Sequence, residues 1–447
     1  MNSPKKQIAI FCLCFSCFLV ILSIIVSVNS KKTNIQLSNA QPTVSPFNNA
    51  STSDKVTITD ITIPNAPSAS ANNTTTYNLK KYCNNVDATQ DFIKFVNSLD
   101  ETESKLLIIP DDKTLLLNSY FPIPSNTTIQ GGAIEITSDA TYADVYNEAF
   151  IVNKHSATYW DKKQDSNITI QNVTIAYDCS KKGRSLLRFR DVNNLIIENC
   201  TINVINKEHT TTSHNAAIDL FKGCTNVMIS QNTITLDNPN GDAGGAIWIR
   251  SAMIENNDPA KLKTSHVKIY QNTITSNSSD ELIAVGSSGY HTSHVSIQNN
   301  KLKRENGSKK NLMLAICATT AGNIENVTVS ENTFSMENTS PKMNKEIIRV
   351  GGDLPTTKYD FVLKNISLSS NKIIGKLSNT KSIVSKASET NNASTTISLN
   401  KIINTSTNDT NSIGIVATGP NILSQNEFEQ IDQQIVSDDD TIFLSLK

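Results

Sequence analysis

Three segments near the middle of the chain combine arginine, aspartate and aromatic residues in a strand-like alternation. They read Leu186-Leu-Arg-Phe-Arg190, Ala217-Ile-Asp-Leu-Phe-Lys222 and Ala246-Ile-Trp-Ile-Arg250. Because successive side chains of a strand point to opposite faces, the aliphatic residues can point inward while the polar and aromatic ones share the outer face. The expected outward set is Arg188, Arg190, Asp219, Phe221, Trp248 and Arg250, joined by Arg349 of a later segment, Ile347-Ile-Arg-Val350.

This outward set is suited to binding an acidic carbohydrate. An arginine side chain binds a carboxylate through two parallel hydrogen bonds, and a tryptophan ring can stack on a sugar. If the segments are neighbouring strands about 4.8 Å apart, their polar side chains form one continuous surface. The residues expected to bind the substrate are Arg188, Trp248, Asp242 and Arg349. The alternative is that Asp219 and Arg250 form a surface salt bridge, which contributes only about 0 to 1 kcal/mol.

Proton transfer at this surface requires a titratable group beside it. His214 lies in the loop before Asp219, and a histidine near a carboxylate can serve as acid or base near neutral pH. We therefore expect His214 and Asp219 to be acid/base partners, with an exposed, inert His214 as the alternative. Asp219 and Asp242 are also candidates for the two carboxyls of an inverting hydrolase, which lie roughly 6.5 to 9.5 Å apart.

A repeated phrase indicates the elements that position these residues. It is clearest in Asn226-Val-Met-Ile-Ser-Gln-Asn-Thr-Ile-Thr-Leu236, an apolar alternation, an asparagine and a second alternation. The recurring asparagines, at steps of 26 to 40 residues, are Asn172, Asn199, Asn232, Asn272, Asn300, Asn332, Asn371, Asn400 and Asn426. We expect them to occupy turns and to stack as a structural ladder, because asparagine tolerates the left-handed conformation and its amide can bond to the next turn. His266 and His294 replace the asparagine that opens other copies, which assigns them to turns.

The period of two and the repeat length predict a stacked all-β solenoid. One unit cannot bury its apolar face alone, whereas a stack of units can. A β-propeller blade needs four strands over about 40 to 45 residues, and several steps here are shorter. A parallel β-helix of about ten or more coils fits best.

The first part of this region resembles a known superfamily. Asp87 to Leu99 is followed by Lys105-Leu-Leu-Ile-Ile-Pro110, Leu115-Leu-Leu117 and Pro124-Ser-Asn-Thr-Thr-Ile-Gln-Gly-Gly132. This order is similar to the opening of pectate-lyase-like, right-handed parallel β-helix proteins: a capping helix, a strand ending in proline, a strand and a turn. The resemblance extends over residues 79–447. The residues themselves predict a helix from about Ala88 to Leu99, with Asp87 as its cap and Phe92, Phe95, Val96 and Leu99 on one face. This helix would cover the N-terminal end of the stack.

The resemblance also implies candidates for chemistry. In polysaccharide lyases of this superfamily the groove runs along such a strand, arginine or lysine often acts as base, and uronic-acid chains are typical substrates. Arg250 or Lys222 would then be the base or neutralise charge. The Asp-Asp pair and Gly-His-Gly segment of polygalacturonase-like members do not occur on the matching coils, and the fold also occurs in phage fibres and adhesins. We expect action on an acidic polysaccharide by elimination, epimerisation or hydrolysis; the alternatives are a non-catalytic, adhesin-like glycan-binding protein and a protein of exopolysaccharide assembly.

The remaining sequence features concern cofactors, partners and location. Scattered carboxylates do not form a calcium-binding cluster, so neither a metal nor a cofactor is expected, and a net charge of −1 gives no electrostatic case for nucleic acid. Residues 1–30, with an apolar run from Ile8 to Val28, predict a signal peptide or single membrane anchor, and residues 31–78 a flexible linker. We therefore expect a secreted or surface-anchored protein whose oligomeric state is open.

Five cysteines lie beyond the apolar run: Cys83, Cys179, Cys200, Cys224 and Cys317. We expect them to be small core residues, with one disulfide involving Cys83 as the alternative.

Overall fold

In the computed structural model, strands dominate the described part of the chain. It comprises residues 74–143, 148–156, 163–211, 214–238, 244–252, 263–278, 280–288, 291–306, 308, 310–318, 322–337, 345–351, 361–386, 395–406 and 411–444. The strands, numbered β1 to β35 in chain order, form three parallel sheets of 13, 11 and 11 strands. The helices are α1 (Thr89–Asn97) and three 3-10 turns, Lys80–Tyr82, Val86–Ala88 and Lys154–Ser156.

Sheet A has 13 strands. They are β1 (Thr74–Asn78), β2 (Ser104–Ile108), β5 (Thr127–Gln130), β8 (Asp165–Gln171), β11 (Val192–Glu198), β14 (Thr225–Ser230), β17 (Thr264–Tyr270), β20 (His291–Gln298), β23 (Gly322–Ser330), β26 (Phe361–Ser369), β29 (Thr395–Ser398), β32 (Asn421–Ser424) and β35 (Ile442–Phe443).

Sheet B has 11 strands. They are β3 (Thr114–Ser119), β6 (Ala133–Thr141), β9 (Thr174–Asp178), β12 (Thr201–Ile205), β15 (Thr233–Asp237), β18 (Thr273–Ser276), β21 (Lys301–Arg304), β24 (Thr333–Met336), β27 (Lys372–Gly375), β30 (Lys401–Asn404) and β33 (Glu427–Glu429).

Sheet C, which positions the candidate site, also has 11 strands. They are β4 (Phe121–Ile123), β7 (Ala149–Asn153), β10 (Ser185–Arg190), β13 (Ala216–Lys222), β16 (Gly245–Ala252), β19 (Ile283–Ser288), β22 (Leu314–Ala318), β25 (Glu346–Val350), β28 (Lys381–Lys386), β31 (Ile413–Thr418) and β34 (Gln433–Ser437).

The sheets follow one another along the chain in a fixed order. From β4 onward each coil contributes one strand to sheet C, one to sheet A and one to sheet B, and each strand pairs with the strand three positions later. This is a right-handed parallel β-helix, as predicted. Its interior consists of aliphatic columns, because equivalent residues of successive coils are in register. Ile197, Ile229 and Ile269 form part of one such buried column, and burying each isoleucine stabilises the fold by about 1.5 to 3 kcal/mol.

Helix α1 covers the N-terminal end of the core, as expected. Phe92 and Val96 are buried, and the Phe92 ring packs 4.9 Å from that of Phe121 at the start of sheet C. The expected cap is wrong, however. Asp87 lies in a 3-10 turn that precedes α1, where its backbone N–H donates to the Asn85 side chain, and the helix itself has no side-chain cap.

An asparagine ladder links the coils between sheets A and B. From Asn232 to Asn426, each asparagine donates its backbone N–H and its side-chain Nδ2 to Oδ1 of the next, at 2.9 to 3.1 Å. The residue before each of these asparagines, rather than the asparagine itself, is left-handed, as at Gln231 and Gln271. Satisfying buried amides in this way avoids the cost of unpaired polar groups.

Asn172 and Asn199 lie in left-handed turns and bond to each other, with Asn199 Nδ2 donating to Asn172 Oδ1, but they stand outside the buried ladder. Asn172 and Asn199 are exposed and occupy the left-handed position, with φ of 55° and 51°. The buried ladder position in their coils belongs to the next residue, Val173 or Cys200. Asn232 therefore ends the ladder by accepting from the Cys200 backbone N–H at 2.9 Å. His266 and His294 do lie in left-handed turns, stacked with ring centroids 4.8 Å apart.

Three other expectations concern the chain's ends and cysteines. Strand β1 pairs with β2, so the sheet includes Thr74–Asn78, which we had assigned to the linker. No disulfide joins the five described cysteines, and Cys179, Cys200 and Cys224 are buried core residues. Across the described ranges, no helix is both long and apolar enough to cross a membrane; the run from Ile8 to Val28 lies outside them.

Candidate functional site

Strand register brings three of the predicted residues side by side on the outer face of sheet C. Arg188 of β10 is opposite Asp219 of β13, and Asp219 is opposite Trp248 of β16. The alternation that places Leu187, Ile218 and Ile247 in the core turns these three side chains outward. The three residues therefore adjoin on one face as expected, although Arg188 and Asp219 are buried rather than exposed.

Asp219 is the electrostatic centre of this surface. Its side chain is completely buried and accepts hydrogen bonds from Arg188 Nε at 2.8 Å and Arg250 Nε at 3.0 Å. Arg250 Nη2 and the Ser185 hydroxyl also donate to it, the latter at 3.3 Å. Ser185 in turn accepts from Arg188 Nη2 at 3.1 Å. One carboxylate thus fixes two guanidinium groups.

Aromatic rings lie close to both guanidinium groups. The Arg250 guanidinium carbon lies 5.3 Å from the Phe221 ring centroid and 4.9 Å from that of Trp248. The Arg188 guanidinium carbon lies 5.1 Å from the Phe221 centroid. These are cation–π distances. We call Arg188, Asp219, Phe221, Trp248 and Arg250 the arginine–aromatic cluster.

A β-bulge explains the placement of Phe221. The register between β10 and β13 shifts after Phe189, so Phe221 has no opposite residue in β10. Bulges redirect side chains locally, and here the ring reaches over both arginines. Arg250 remains 31% exposed while Arg188 is 5% exposed. Arg250 is therefore the cation that the cluster presents to solvent.

The Asp219 carboxyl is held in its ionised form. Burial by itself would raise its pKa, but the charges of Arg250 and Arg188 and their hydrogen bonds outweigh burial, and the pKa is lowered. A saturated carboxylate of this kind orients cations and is poorly suited to exchanging protons.

His214 is buried next to the cluster but does not join it. Its Nε2 lies 3.2 Å from the Gly245 carbonyl oxygen, so Nε2–H donates there, and Nδ1 has no hydrogen-bond partner among the described residues. Burial lowers the pKa of His214 to about 4, so the ring is neutral at neutral pH. The geometry pairs His214 with Gly245 instead of Asp219.

Lys222 and Arg349, two other candidates, lie apart from the cluster. Lys222 is buried, and its positive charge acts on Asp191, where it opposes the rise that burial causes in the aspartate's pKa. Arg349 lies in the same row of outward residues as Trp248, three strands further on, and its Nε pairs with Glu346. Asp242 lies outside the described residues. The catalytic and binding roles assigned to all of these residues stay predictions.

Sequence reasoning missed two residues at the site. Ser185 bridges Arg188 and Asp219, which only the spatial arrangement reveals. Gly286 is opposite Arg250 in the neighbouring strand. A Cβ at Gly286 would meet no atom closer than 3.7 Å, so the fold does not require glycine there. The available sequence signal was the glycine itself, because a glycine in a strand that packing does not require often marks a place where a ligand approaches closely.

One group in the described ranges has the composition of a metal site. Ligand atoms of Glu101, His155 and Asp165 lie within 4.8 Å of one another. Lys154 and Lys163 pair with Glu101 at 2.7 and 2.6 Å, and these two ammonium groups more than balance its single negative charge. We interpret the group as a salt-bridge network.

Comparisons with known proteins agree on the fold. No family model and no curated protein matches the sequence. A double mutant of the tailspike protein of E. coli bacteriophage HK620, in complex with a pentasaccharide, is similar in structure with a TM-score of 0.55 and 12% identity. The match covers 80% of this chain and 63% of the tailspike chain, so this chain spans under two thirds of that protein's length. Polygalacturonase from Erwinia carotovora ssp. carotovora gives a TM-score of 0.51 and 14% identity, covering 80% of this chain and 94% of the enzyme. The expected resemblance to pectate-lyase-like right-handed parallel β-helix proteins is thereby confirmed at the level of the fold.

Proposed function

We propose that the outer face of sheet C binds an acidic polysaccharide through the arginine–aromatic cluster. The observation that carries the proposal is the half-buried Arg250 guanidinium, fixed by Asp219 and flanked by two aromatic rings. A preorganised arginine loses little conformational entropy on binding a carboxylate. Trp248 offers a partly exposed ring for the face of a sugar. The tailspike's pentasaccharide and the polygalacturonase's name are consistent with a glycan ligand.

Binding is tested with the full chain and a panel of pectin, alginate and glycosaminoglycan polymers. Arg250→Gln should lower the affinity for the bound polymer about tenfold or more, because a charge-assisted hydrogen bond contributes about 1.5 to 3 kcal/mol. The matched control is Lys268→Gln, which removes a cation lying 4.9 Å from the Tyr270 ring on sheet A. Equal affinities of the Arg250→Gln variant and the unmodified chain would show that the cluster is not the binding site.

A catalytic form of this function is the second candidate, and Glu281 favours it. Burial, and then the charge of Asp280, raise the pKa of Glu281, as in carboxyls that donate protons. Glu281 precedes β19, the strand that pairs with β16 of the cluster, and the charges of Lys310 and Arg304 act on its carboxyl. Elimination, epimerisation or hydrolysis at the cluster would then use Glu281 to transfer a proton and Arg250 to neutralise the sugar carboxylate.

Turnover is measured on the same polymers. Unsaturated-uronide absorbance with new reducing ends would identify a lyase, and reducing ends alone a hydrolase. Loss of either signal in Glu281→Gln, with binding retained, supports the catalytic form. Binding of a polymer without either signal would indicate a glycan-binding protein that is not catalytic.

We further propose that the chain is exported and acts at the cell surface. The support is the apolar run from Ile8 to Val28 with basic residues before it, which favours an outside C-terminal domain. Cell fractionation with N-terminal sequencing distinguishes an anchored chain from a cleaved one, and a cytoplasmic full-length chain would refute export.

A further inference from the structure

We infer, resting on the proposed function, that the bound polysaccharide carries its acidic groups sparsely, with neutral sugars on at least one side of each charged sugar. The inference concerns the charge pattern along sheet C. A homopolymer of uronic acid would present a carboxylate on every sugar, and the outer face of sheet C is not built to receive such a row.

The arginine–aromatic cluster carries one net positive charge. Arg188 and Arg250 share the single carboxylate of Asp219. Arg188 is almost fully buried and its Nε and Nη2 donate to Asp219 and Ser185, so it is not available to a ligand. Within the cluster, only the Arg250 side chain is both partly exposed and held in place by Asp219, so the cluster can bind one carboxylate at a time.

The outward residues of the strands next to Arg250 are small and uncharged. The outward positions of the following two strands are Ala284, Gly286, Ala315 and Cys317, of which Ala315 is buried and the other three are partly exposed. We call these four residues the small-residue step. Ala284 adjoins Trp248, and Gly286 adjoins Arg250. Ala284 and Gly286 are partly exposed and uncharged, so a sugar ring seated on them beside the charged one would find no cation in the step to compensate a second carboxylate.

On the far side of the small-residue step, the outward cation is paired with a carboxylate. Arg349, about 14 Å from the Trp248 strand at three strand spacings, is ion-paired with Glu346. A carboxylate arriving there would meet the negative charge of Glu346 together with the positive charge of Arg349. The sequence of the surface along the sheet is therefore cationic, neutral and charge-paired, which matches an isolated acidic sugar followed by neutral ones.

The test uses polymers that differ only in charge density. Polygalacturonate and alginate, which carry a carboxylate on every sugar, are each carboxyl-reduced to graded extents, and their affinities for the full chain are measured. We expect the affinity for the best backbone to pass through a maximum at partial reduction, about tenfold above both the unreduced and the fully reduced polymer.

Two variants test the role of the step. Gly286→Lys places a second cation beside Arg250 and should shift the maximum towards more highly charged polymer, whereas Thr418→Lys, on the same face four strands away, should not. Gly286→Leu should lower affinity about tenfold by filling the step, with Thr418→Leu as its control.

The outcomes separate the inference from the proposed function. Highest affinity for the unreduced polymers would overturn the inference and leave acidic-polysaccharide binding intact. Highest affinity for the fully reduced polymers would overturn both, because Arg250 would then have no anion to bind. No binding to any member of the series would also remove the proposed function.

Discussion

Replacing Asp219 by asparagine tests whether one buried carboxylate holds the cluster together. Asp219→Asn keeps the size of the side chain but removes its charge and turns one acceptor oxygen into a donor facing arginine N–H groups. Removing one partner of a buried ion pair costs about 3 to 5 kcal/mol. Arg250, 31% exposed, can recover solvation, whereas Arg188, 5% exposed, cannot. We therefore expect the free energy of unfolding to fall by about 3 to 5 kcal/mol, mostly through Arg188.

The pH dependence of the free energy of unfolding provides a second, independent test of this prediction. The pKa of Asp219 is lowered in the folded chain, so its contribution to stability is present above the unfolded pKa, about 3.9, and is lost as pH falls through the lower folded value. The difference between the original chain and Asp219→Asn should therefore be constant near neutral pH and shrink below about pH 4.

Trp248 is a local probe for the measurement. The chain has two tryptophans, so a Trp160→Phe background leaves Trp248 as the fluorescent reporter of the central coils during urea unfolding. The matched variant Arg188→Met/Asp219→Asn, which removes the buried cation as well, should recover much of the loss. A loss below about 1 kcal/mol, or a difference that persists unchanged to pH 2, would refute the reasoning.

Three further predictions concern stability. Gly286→Ala should raise the free energy of unfolding by about 0.5 to 1 kcal/mol. Gly245→Ala should lower it, because the added Cβ would lie 2.1 Å from the Trp248 indole nitrogen. Urea unfolding midpoints compare the two variants, and equal midpoints would contradict the interpretation that Gly286 tolerates a side chain. The pKa of His214 falls from 6.5 to about 4 on folding, so stability should decrease by about 3 kcal/mol as pH falls from 6.5 to 4, and calorimetry of His214→Phe should show that slope removed. Asn300→Ala removes the Oδ1 that accepts from Asn272 and the Nδ2 that donates to Asn332, and should cost about 3 kcal/mol, about twice the cost at the ladder's terminal Asn426. Equal costs in urea unfolding would argue against a continuous ladder.

The fold was predictable because its signals are local and repeated. Period-two alternation defines the strands, and the same alternation placed Arg188, Asp219 and Trp248 on one face. The ladder error was also local: counted from the threonine that follows, Asn172 aligns with Gln231, one position before the buried asparagine. The recurring asparagines indicated that a ladder exists. Only their exact distance from the following threonine shows which of them belong to the buried ladder.

The remaining details of the site depend on contacts between distant residues. His214 precedes Asp219 by five residues, yet its ring packs against Gly244 and Gly245, which follow about thirty residues later. The bulge that turns Phe221 over the arginines arises from a register shift between two strands, and a single sequence carries no mark of it. Burial likewise determined that Asp219 is a saturated carboxylate, a property that residue type alone does not encode.

The order of strand pairing along the solenoid has a mechanical consequence. Backbone hydrogen bonds run along the solenoid axis, so tension along that axis loads the junctions between coils in series, and the weakest junction yields first. The last sheet A junction, β32 with β35, has two residue pairs, whereas β23 with β26 has eight. A chain anchored at its N-terminus and pulled through a polymer bound at Arg250 would carry force only from β1 to β16. The weakly paired C-terminal coil would then lie beyond the point of attachment, and no force would act on it.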